Sequence, residues 1–302
     1  MESTFRTPDT SSVIVGVDGS ESARVAVLWA AREAVRRDRP LHIVHGADTD
    51  GTALYLSAET VERVRFHGRE LLDDTAKAVS AEYPGLIVTT EFSRAGAVDS
   101  LHRAGGLHGT IVVGNRGLGG FDSLMLGSVG LETAAIAMTP VIVVRGADGA
   151  GETGTVLAAI RDEHDLLIAR YAAREAELHK ASLRLLHVWN MFQSVGVVVS
   201  MLDGIDEIAS GHAETLRAVT DVVRDEFPDL EVQADAEKSI SVAGVLVEAS
   251  RHADLLVMGG RRVPGPLGLT PRLGKATHSM LHHAHCPVLL IPRTGSDFGS
   301  QS

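Results

Sequence analysis

The sequence predicts an α/β protein made of two tandem doubly wound domains, each a parallel sheet with helices on both faces. Short runs rich in Val and Ile alternate with helical stretches, which is the pattern of repeated βαβ units. Most of these runs are continuously apolar, as expected of parallel strands that helices cover on both sides. The same succession occurs twice in the 302 residues, a length that suits two domains.

The two copies share landmarks that keep their order along the chain. An Ala-Ala-Arg-Glu segment begins at Ala30 and again at Ala172, and His45 and His187 share the same spacing of 142 residues. Later landmarks drift by a few residues, which is what loop insertions produce. We therefore predict a first domain over residues 10–146 and a second over residues 154–294, joined by a glycine-rich linker.

Five strands and four helices are expected in the first copy, in strict alternation. The strands are predicted from their β-branched runs at Val13–Asp18, Leu41–His45, Ile87–Phe92, Thr110–Asn115 and Val141–Arg145. The helices are predicted at Ser22–Arg36, Ala58–Tyr83, Ala97–Gly105 and Ser128–Met138. A Tyr-Pro-Gly sequence at residues 83–85 supplies the stop signal of the long second helix.

Composition narrows the possible partners. The formal net charge of −11 disfavours binding to nucleic acid or to anionic lipid, because both carry negative charge. The single cysteine, Cys286, suits a reducing compartment, and the polar first residues lack the apolar core of a signal peptide. We expect a cytoplasmic protein without a membrane partner.

Two loops of the first copy have the composition of a ligand site. One follows the first strand and contains Gly16, Asp18 and Ser20, and the other follows the fourth strand and runs from Gly114 to Gly120. In doubly wound folds, ligands bind outside the carboxyl ends of the strands, where the strand order reverses. If the first and fourth strands are neighbours there, these two loops face each other.

A helix start completes the second loop. Gly114 and Gly117 let the backbone approach a ligand without Cβ atoms in the way, and Gly127-Ser128 then opens a helix. The free N–H groups at such a helix start favour a phosphate, and the Ser128 hydroxyl can donate one more hydrogen bond. Asp18 can accept from ribose hydroxyls or an adenine amino group, or bind a metal that bridges phosphates.

These residues carry a family resemblance. A Gly-x2-Gly-x9-Gly-Ser spacing after a Val-Asp-x-Ser segment resembles the ATP-binding class of the universal stress protein family, and the duplication resembles its tandem type. The resemblance covers nearly the whole chain. It implies a five-stranded parallel sheet of order 3-2-1-4-5, bound ATP with or without Mg²⁺, a homodimer, and a role in stress tolerance or dormancy with at most slow hydrolysis.

The resemblance also implies where each part of the nucleotide lies. Gly16, Asp18 and Val44 would line the adenosine end. Ribose and phosphates would contact the loop and the helix start, that is Gly114, Asn115, Arg116, Gly117, Leu118, Gly119, Gly120, Gly127 and Ser128. We name no catalytic residue and no resident metal ligand.

The second copy departs from the pattern. The spacing of 142 residues puts Ile160 at the position of Asp18, with Arg161 and Asp162 following. Further along, Lys275 follows Gly274 as Ser128 follows Gly127, so Lys275 stands where Ser128 does. Gly259 and Gly274 keep two of the glycines, and three prolines stiffen the loop between them. Two readings stay open: Asp162 and Lys275 replace the lost groups and this half binds nucleotide, or it is a degenerate copy kept for packing and dimer formation.

Other functions are also considered. A slow ATPase or adenylyl-transferring enzyme on the same fold would need a group near the phosphates, and only Asp18 and Arg116 qualify. A scaffold with no ligand would work through its surface alone. The run from His282 to Cys286 is dense in metal-binding side chains, but a catalytic zinc needs three converging ligands. His45 and His187 are interpreted as strand-end packing residues.

Overall fold

The structure is a computed structural model, and it describes residues 12–51, 56–117, 127–145, 153–190, 205–260, 262–264 and 271–292. The chain divides into two compact units, Met1–Asp148 and Gly149–Ser302. Each unit is an α/β domain with its own parallel sheet, so the predicted fold class is confirmed. None of the helices in the described residues has the length and apolarity that a bilayer crossing requires.

The sheet of the first unit has the strand order β3-β2-β1-β4-β5. Its strands are parallel and lie at Val13–Gly16, Leu41–Gly46, Val88–Ser93, Thr110–Gly114 and Val141–Val144. Strands β1, β4 and β5 are almost entirely buried, which explains their unbroken apolar sequences. The order reverses between β1 and β4, as the sequence predicted.

Four helices connect the strands of the first unit. They are α1 (Glu21–Arg36), α2 (Ala58–Glu82), α3 (Ala97–Gly105) and α4 (Ser128–Ile136). Small residues of α1 bury its inner face against the sheet, since Ala26, Ala30 and Ala34 are fully inaccessible to solvent.

Nine of the predicted boundaries in the first unit were wrong by one or two residues, and three of them have a clear local cause. Strand β1 ends at Gly16 rather than Asp18, because the Asp18 side chain already accepts the Ser20 N–H and turns the chain. Helix α1 begins at Glu21 because Ser20 caps it by accepting the Ala23 N–H. Helix α4 ends at Ile136 rather than Met138, since Ala137 already has extended backbone.

The second unit repeats the same plan. Its strands are β6 (Thr155–Ile160), β7 (Ser182–Trp189), β8 (Val232–Lys238), β9 (Leu255–Gly260) and β12 (Val288–Pro292), in the order β8-β7-β6-β9-β12. Its helices are α5 (Leu166–His179), α6 (Ile205–Glu226), α7 (Val242–Ala249) and α8 (Lys275–His283), with short 3₁₀ turns at Glu163–Asp165 and Ser250–His252.

A small antiparallel hairpin follows β9 and was not predicted. Its strands, β10 (Arg262–Pro264) and β11 (Pro271–Leu273), pair so that the two prolines stand opposite each other. Proline has no N–H to donate, so it is tolerated at the last pair of a ladder. The third proline of this loop, Pro266, lies outside the described residues.

Candidate functional site

The carboxyl ends of β1 and β4 lie side by side in the first unit. Val13 to Val15 pair with Thr110 to Val112, so the loops that follow the two strands emerge at the same edge of the sheet. A cleft of about 360 Å³ opens between these loops and the starts of α3 and α4. This volume falls within the range of small-molecule sites, which is about 300–1,000 Å³.

Asp18 and Gly117 lie next to each other in the lining of this cleft. One carboxylate oxygen of Asp18 accepts the Ser20 N–H at 2.9 Å, which fixes the side chain. A Cβ atom placed on Gly117 would lie 2.6 Å from the other oxygen, Oδ2. The glycine is therefore required by the close approach of the two loops, and its backbone is open to the cleft.

Ser22 holds the second loop in place. Its hydroxyl donates to Oδ1 of Asn115 at 2.7 Å and accepts the Arg116 N–H at 3.1 Å. Gly114 is needed beside it, because a Cβ at that position would lie 2.6 Å from the Ser22 hydroxyl. Asn115 is a structural anchor of the loop and does not line the cleft, which differs from the role that the sequence gave it.

The start of α4 faces the cleft with its backbone donors. Gly127 occupies the N-cap position with extended backbone and makes no side-chain capping bond, and its own N–H donates to the Asn115 carbonyl at 2.8 Å. Ser128, Val129 and Gly130 follow and line the cleft. The first N–H groups of a helix have no partner within it, so they and the helix dipole favour an anionic group here.

Most of the predicted residues meet at this one cleft. The cleft is lined by Gly16, Asp18, Val44, Gly114, Arg116, Gly117, Gly127 and Ser128. Leu118, Gly119 and Gly120 lie outside the described residues. Arg116 is exposed at the rim, whereas the Val44 side chain is buried at the floor.

Gly46 and helix α3 also form part of the cleft, and sequence reasoning missed them. A Cβ atom on Gly46 would lie 2.7 Å from the Ala97 Cα, so this glycine lets α3 approach the end of β2. Leu101 of the same helix forms the floor, and a Cβ on Gly16 would lie 3.3 Å from it. A glycine at the end of a predicted strand was the available signal.

The histidine that recurs in both copies has one structural role. Nδ1 of His45 donates to the Val17 carbonyl at 2.7 Å, and Nδ1 of His187 donates to the Ile160 carbonyl at 2.9 Å. Each bond ties the end of the second strand of a unit to the end of its first strand. The predicted packing role is thus confirmed.

The sheet register corrects the alignment of the two copies. Val13 pairs with Thr110 in the first unit, and Val156 pairs with Leu255 in the second. Counting along the strands from these pairs puts Arg161, not Ile160, at the position of Asp18. The prediction of Ile160 was wrong because the spacing of 142 residues holds for the Ala-Ala-Arg-Glu helix but not for the first strand. The segment between the strand end and this helix is one residue shorter in the second copy.

The candidate replacements in the second unit have different places. Asp162 accepts the His164 N–H at 3.1 Å and the Arg161 Nε–H at 2.6 Å. The second unit also has a cleft at the carboxyl ends of its strands, and Asp162 is not among the residues that line it. Lys275 does line that cleft, as do Gly259 and Gly274. The second copy therefore presents cationic side chains where the first presents a carboxylate and a hydroxyl.

The histidine cluster near the end of the chain begins on α8, which ends at His283, and His285 and Cys286 follow before β12. The rings of His278 and His282 stack with their centres 4.4 Å apart, one helical turn from each other. Cys286 is buried between this helix and β12 along the chain. The expectation of no metal here stays a prediction.

Comparisons with known proteins give one consistent family. The family model described as "Universal stress protein family" matches residues 10–145 and again residues 152–292. Universal stress protein Rv2624c of Mycobacterium tuberculosis is 29% identical over 290 residues, covering 95% of this chain and 98% of that protein. A universal stress protein of Mycolicibacterium smegmatis is 29% identical over 292 residues, covering 92% and 96%.

The fold is also found among solved structures. The crystal structure of a universal stress protein from Archaeoglobus fulgidus superposes with a TM-score of 0.69 at 17% sequence identity, covering 95% of this chain and 98% of that one. At this identity the likeness concerns the fold.

Proposed function

Because this chain belongs to the universal stress protein family, we propose that its first unit binds ATP or a similar adenine nucleotide and that the protein acts as a regulator in the stress response or dormancy. Family membership supports the stress-response role. In this proposal the nucleotide is a structural ligand or signal, and catalysis is at most slow hydrolysis.

The observation that carries the proposal is the approach of Asp18 to Gly117. It brings an acceptor-only carboxylate next to a glycine whose backbone lines the cleft. Opposite this pair lies the α4 start with its uncapped N–H groups. An adenine nucleotide needs both kinds of partner, since its ribose hydroxyls and amino group donate and its phosphates accept.

The proposed assignment follows this polarity. Gly16, Asp18 and Val44 contact the adenosine end, and the backbone of Gly114–Gly117 with Gly127 and Ser128 contacts ribose and phosphates. The chain is strongly acidic, so phosphate binding depends on backbone dipoles and on Arg116 at the rim more than on net charge. A bound Mg²⁺ would be held by phosphate oxygens, with Asp18 as a protein carboxylate close by.

Mass spectrometry of small molecules released from freshly purified protein tests the proposal, together with calorimetric titration of ATP. We expect ATP or a related adenine nucleotide, and we expect Asp18→Ala to weaken binding at least about tenfold, since hydrogen bonds to charged groups contribute about 1.5–3 kcal/mol. Asp74→Ala is the control, because Asp74 is an exposed residue of α2 away from the cleft. Equal affinities of the two variants would defeat the assignment.

Two competing functions have distinct outcomes. An ATPase or adenylyl-transferring enzyme would turn over ATP at about 1 per second or faster, a common enzymatic rate. A scaffold without ligand would show no thermal shift with ATP, whereas a ligand at 100 times its dissociation constant stabilises by about 2.7 kcal/mol. We propose in addition that the chain forms a homodimer in the cytoplasm, which sedimentation analysis and cell fractionation would test.

A further inference from the structure

The second unit has a cleft of its own at the equivalent edge of its sheet. It has a volume of about 770 Å³, about twice that of the first cleft, and lies outside the ends of β6, β7 and β9. The starts of α7 and α8 close its other sides.

One substitution between the copies explains the greater width. Val188 follows His187 as Gly46 follows His45, so the two residues occupy the same strand position. In the first unit even a single Cβ at this position would lie 2.7 Å from the Ala97 backbone of α3. The larger Val188 side chain is compatible only with a helix α7 that lies farther from the strand.

The polarity of the cleft is reversed at two positions. Arg161 occupies the place of Asp18, and Lys275 occupies the place of Ser128 at the first residue of α8. The α8 N-cap, Gly274, makes no side-chain capping bond. Where the first unit presents an acceptor for ligand hydroxyls, the second presents N–H donors that suit a carboxylate or a phosphate.

The acidic groups nearby have partners within the same loop. Asp165 lines the cleft, but its Oδ2 accepts the Arg161 backbone N–H at 2.8 Å. Asp162 accepts from the Arg161 guanidinium through Nε, which leaves the other nitrogens of this group to bind a second anion.

An aromatic wall forms another side of the cleft. The rings of Trp189 and His212 stack with centres 4.7 Å apart and planes at 15°. His187 donates from Nδ1 to a carbonyl, so its Nε2 accepts from Nδ1 of His212 at 2.8 Å when both rings are neutral. This chain of bonds fixes the His212 ring and leaves its Nε2 as an acceptor. Leu246 and Met258 complete an apolar lining.

We propose that this second cleft binds a small aromatic organic anion, whose carboxylate or phosphate pairs with Arg161 and Lys275 and whose ring packs against Trp189 and the apolar lining. The ligand differs from the nucleotide proposed for the first unit, because a guanidinium stands where the Asp18 carboxylate would accept from ribose or adenine, and Asp165 already accepts the Arg161 N–H. The site is independent of nucleotide binding in the first unit.

Tryptophan fluorescence of the full chain tests the site directly. The protein has two tryptophans, and Trp29→Phe leaves Trp189 as the reporter in the wall of the cleft. The probes are biphenyl carboxylate, biphenyl phosphate, the neutral biphenyl carboxamide, and ATP. We expect a saturable change with the carboxylate or the phosphate, and the tighter of the two identifies the acidic group. The amide should bind at least about tenfold more weakly than the anions.

Charge-removing variants locate the anion. Arg161→Gln and Lys275→Gln should each weaken binding about tenfold, and Arg251→Gln, an exposed arginine of the same unit paired with Glu248, should not. Lys275 is exposed, so Lys275→Gln still tests anion binding even if Arg161→Gln disturbs the turn between β6 and α5. The proposal is overturned if neither anion binds, if the amide binds as tightly as the anions, if both variants leave affinity unchanged, or if ATP displaces the probe.

Discussion

The two clefts occupy one position in two copies of the same fold, and they differ in both width and polarity. In the first unit, Gly46 and Gly117 allow close approach of backbone to backbone and of backbone to the Asp18 carboxylate. In the second, Val188 and Arg161 stand at the positions of Gly46 and Asp18. A few side chains at the ends of the strands thus account for the difference between the two clefts, while the strand order is the same in both units.

The largest expected effect concerns Gly117. Gly117→Val puts a branched side chain against Oδ2 of Asp18, where even a Cβ would lie at 2.6 Å, so the loop must move away from the carboxylate. We expect loss of ATP binding by at least about a hundredfold, or 2.7 kcal/mol, measured by calorimetric titration.

Gly85→Ala is the matched control for this variant, because nothing lies within 4 Å of a Cβ at Gly85. It should bind ATP as the parent chain does. Retention of affinity by Gly117→Val would show that the glycine turn is not part of the nucleotide site.

Replacing Gly46 by valine, the residue type at the equivalent position 188, tests why the two clefts differ in width. Gly46→Val should destabilise the first unit by about 1–3 kcal/mol, because the new side chain meets the Ala97 backbone and the core must be forced apart. Denaturant unfolding measures the change. Gly211→Ala in the second unit, with open space around its Cβ, should not destabilise in this way. An unchanged stability of Gly46→Val would mean that α3 is free to shift outward.

The imidazole pair of the second unit predicts a pH dependence of stability. Burial, and next the neighbouring His187, lower the pKa of His212 below its ordinary value of 6.5. The unfolded chain therefore binds this proton more tightly, so stability is full above about pH 6.5 and is lost as the pH falls toward the lowered folded-state pKa. Thermal unfolding across this window should show the loss.

His212→Gln should remove that part of the pH dependence, whereas His252→Gln, an exposed histidine of the same unit, should keep it. The first unit has Gly68 at the equivalent helix position, where a Cβ would lie 2.5 Å from the Phe92 ring. A pH profile that is identical in the two variants would contradict the assignment of the titrating group.

The smallest effect concerns the end of the long helix in each unit. Glu226 forms an ion pair with Arg170, and this hydrogen bond lowers the pKa of Glu226. Glu226→Gln should destabilise by at most about 1 kcal/mol, because the pair is partly exposed. The effect should be full above pH 4.5, the ordinary pKa of the carboxyl, and should be lost as the pH falls through the lowered pKa of the folded state.

Glu82 ends the corresponding helix of the first unit, and Glu82→Gln is the control. Chemical unfolding at neutral and acid pH compares the two variants. Equal changes in the stability of the two variants would show that the ion pair of Glu226 with Arg170 contributes nothing beyond what Glu82 contributes in the first unit.

Sequence reasoning reached the fold and most of the first cleft for a physical reason. Strand runs, helix periodicity and glycine turns are local signals, and the reversal of strand order brings Asp18 and Gly117 together once the fold is known. The anchoring role of Asn115 was out of reach, because it depends on a hydrogen bond from Ser22, which is 93 residues away along the chain.

Two further features were missed because they depend on registers that a sequence does not show. The position of Arg161 follows from strand pairing, whereas the spacing of the neighbouring helices placed Ile160 there. The contact of Gly46 with α3 depends on how closely a helix packs on a strand end. Both features decide what a cleft can bind, although neither alters the fold.

The stoichiometry of ATP binding to the full chain shows whether the duplicated fold has one nucleotide cleft. Calorimetric titration should give one ATP per chain, with binding lost in Gly117→Val and unchanged in Arg161→Gln. Two equivalents of ATP per chain, or one equivalent that survives Gly117→Val and is lost in Arg161→Gln, would contradict the account.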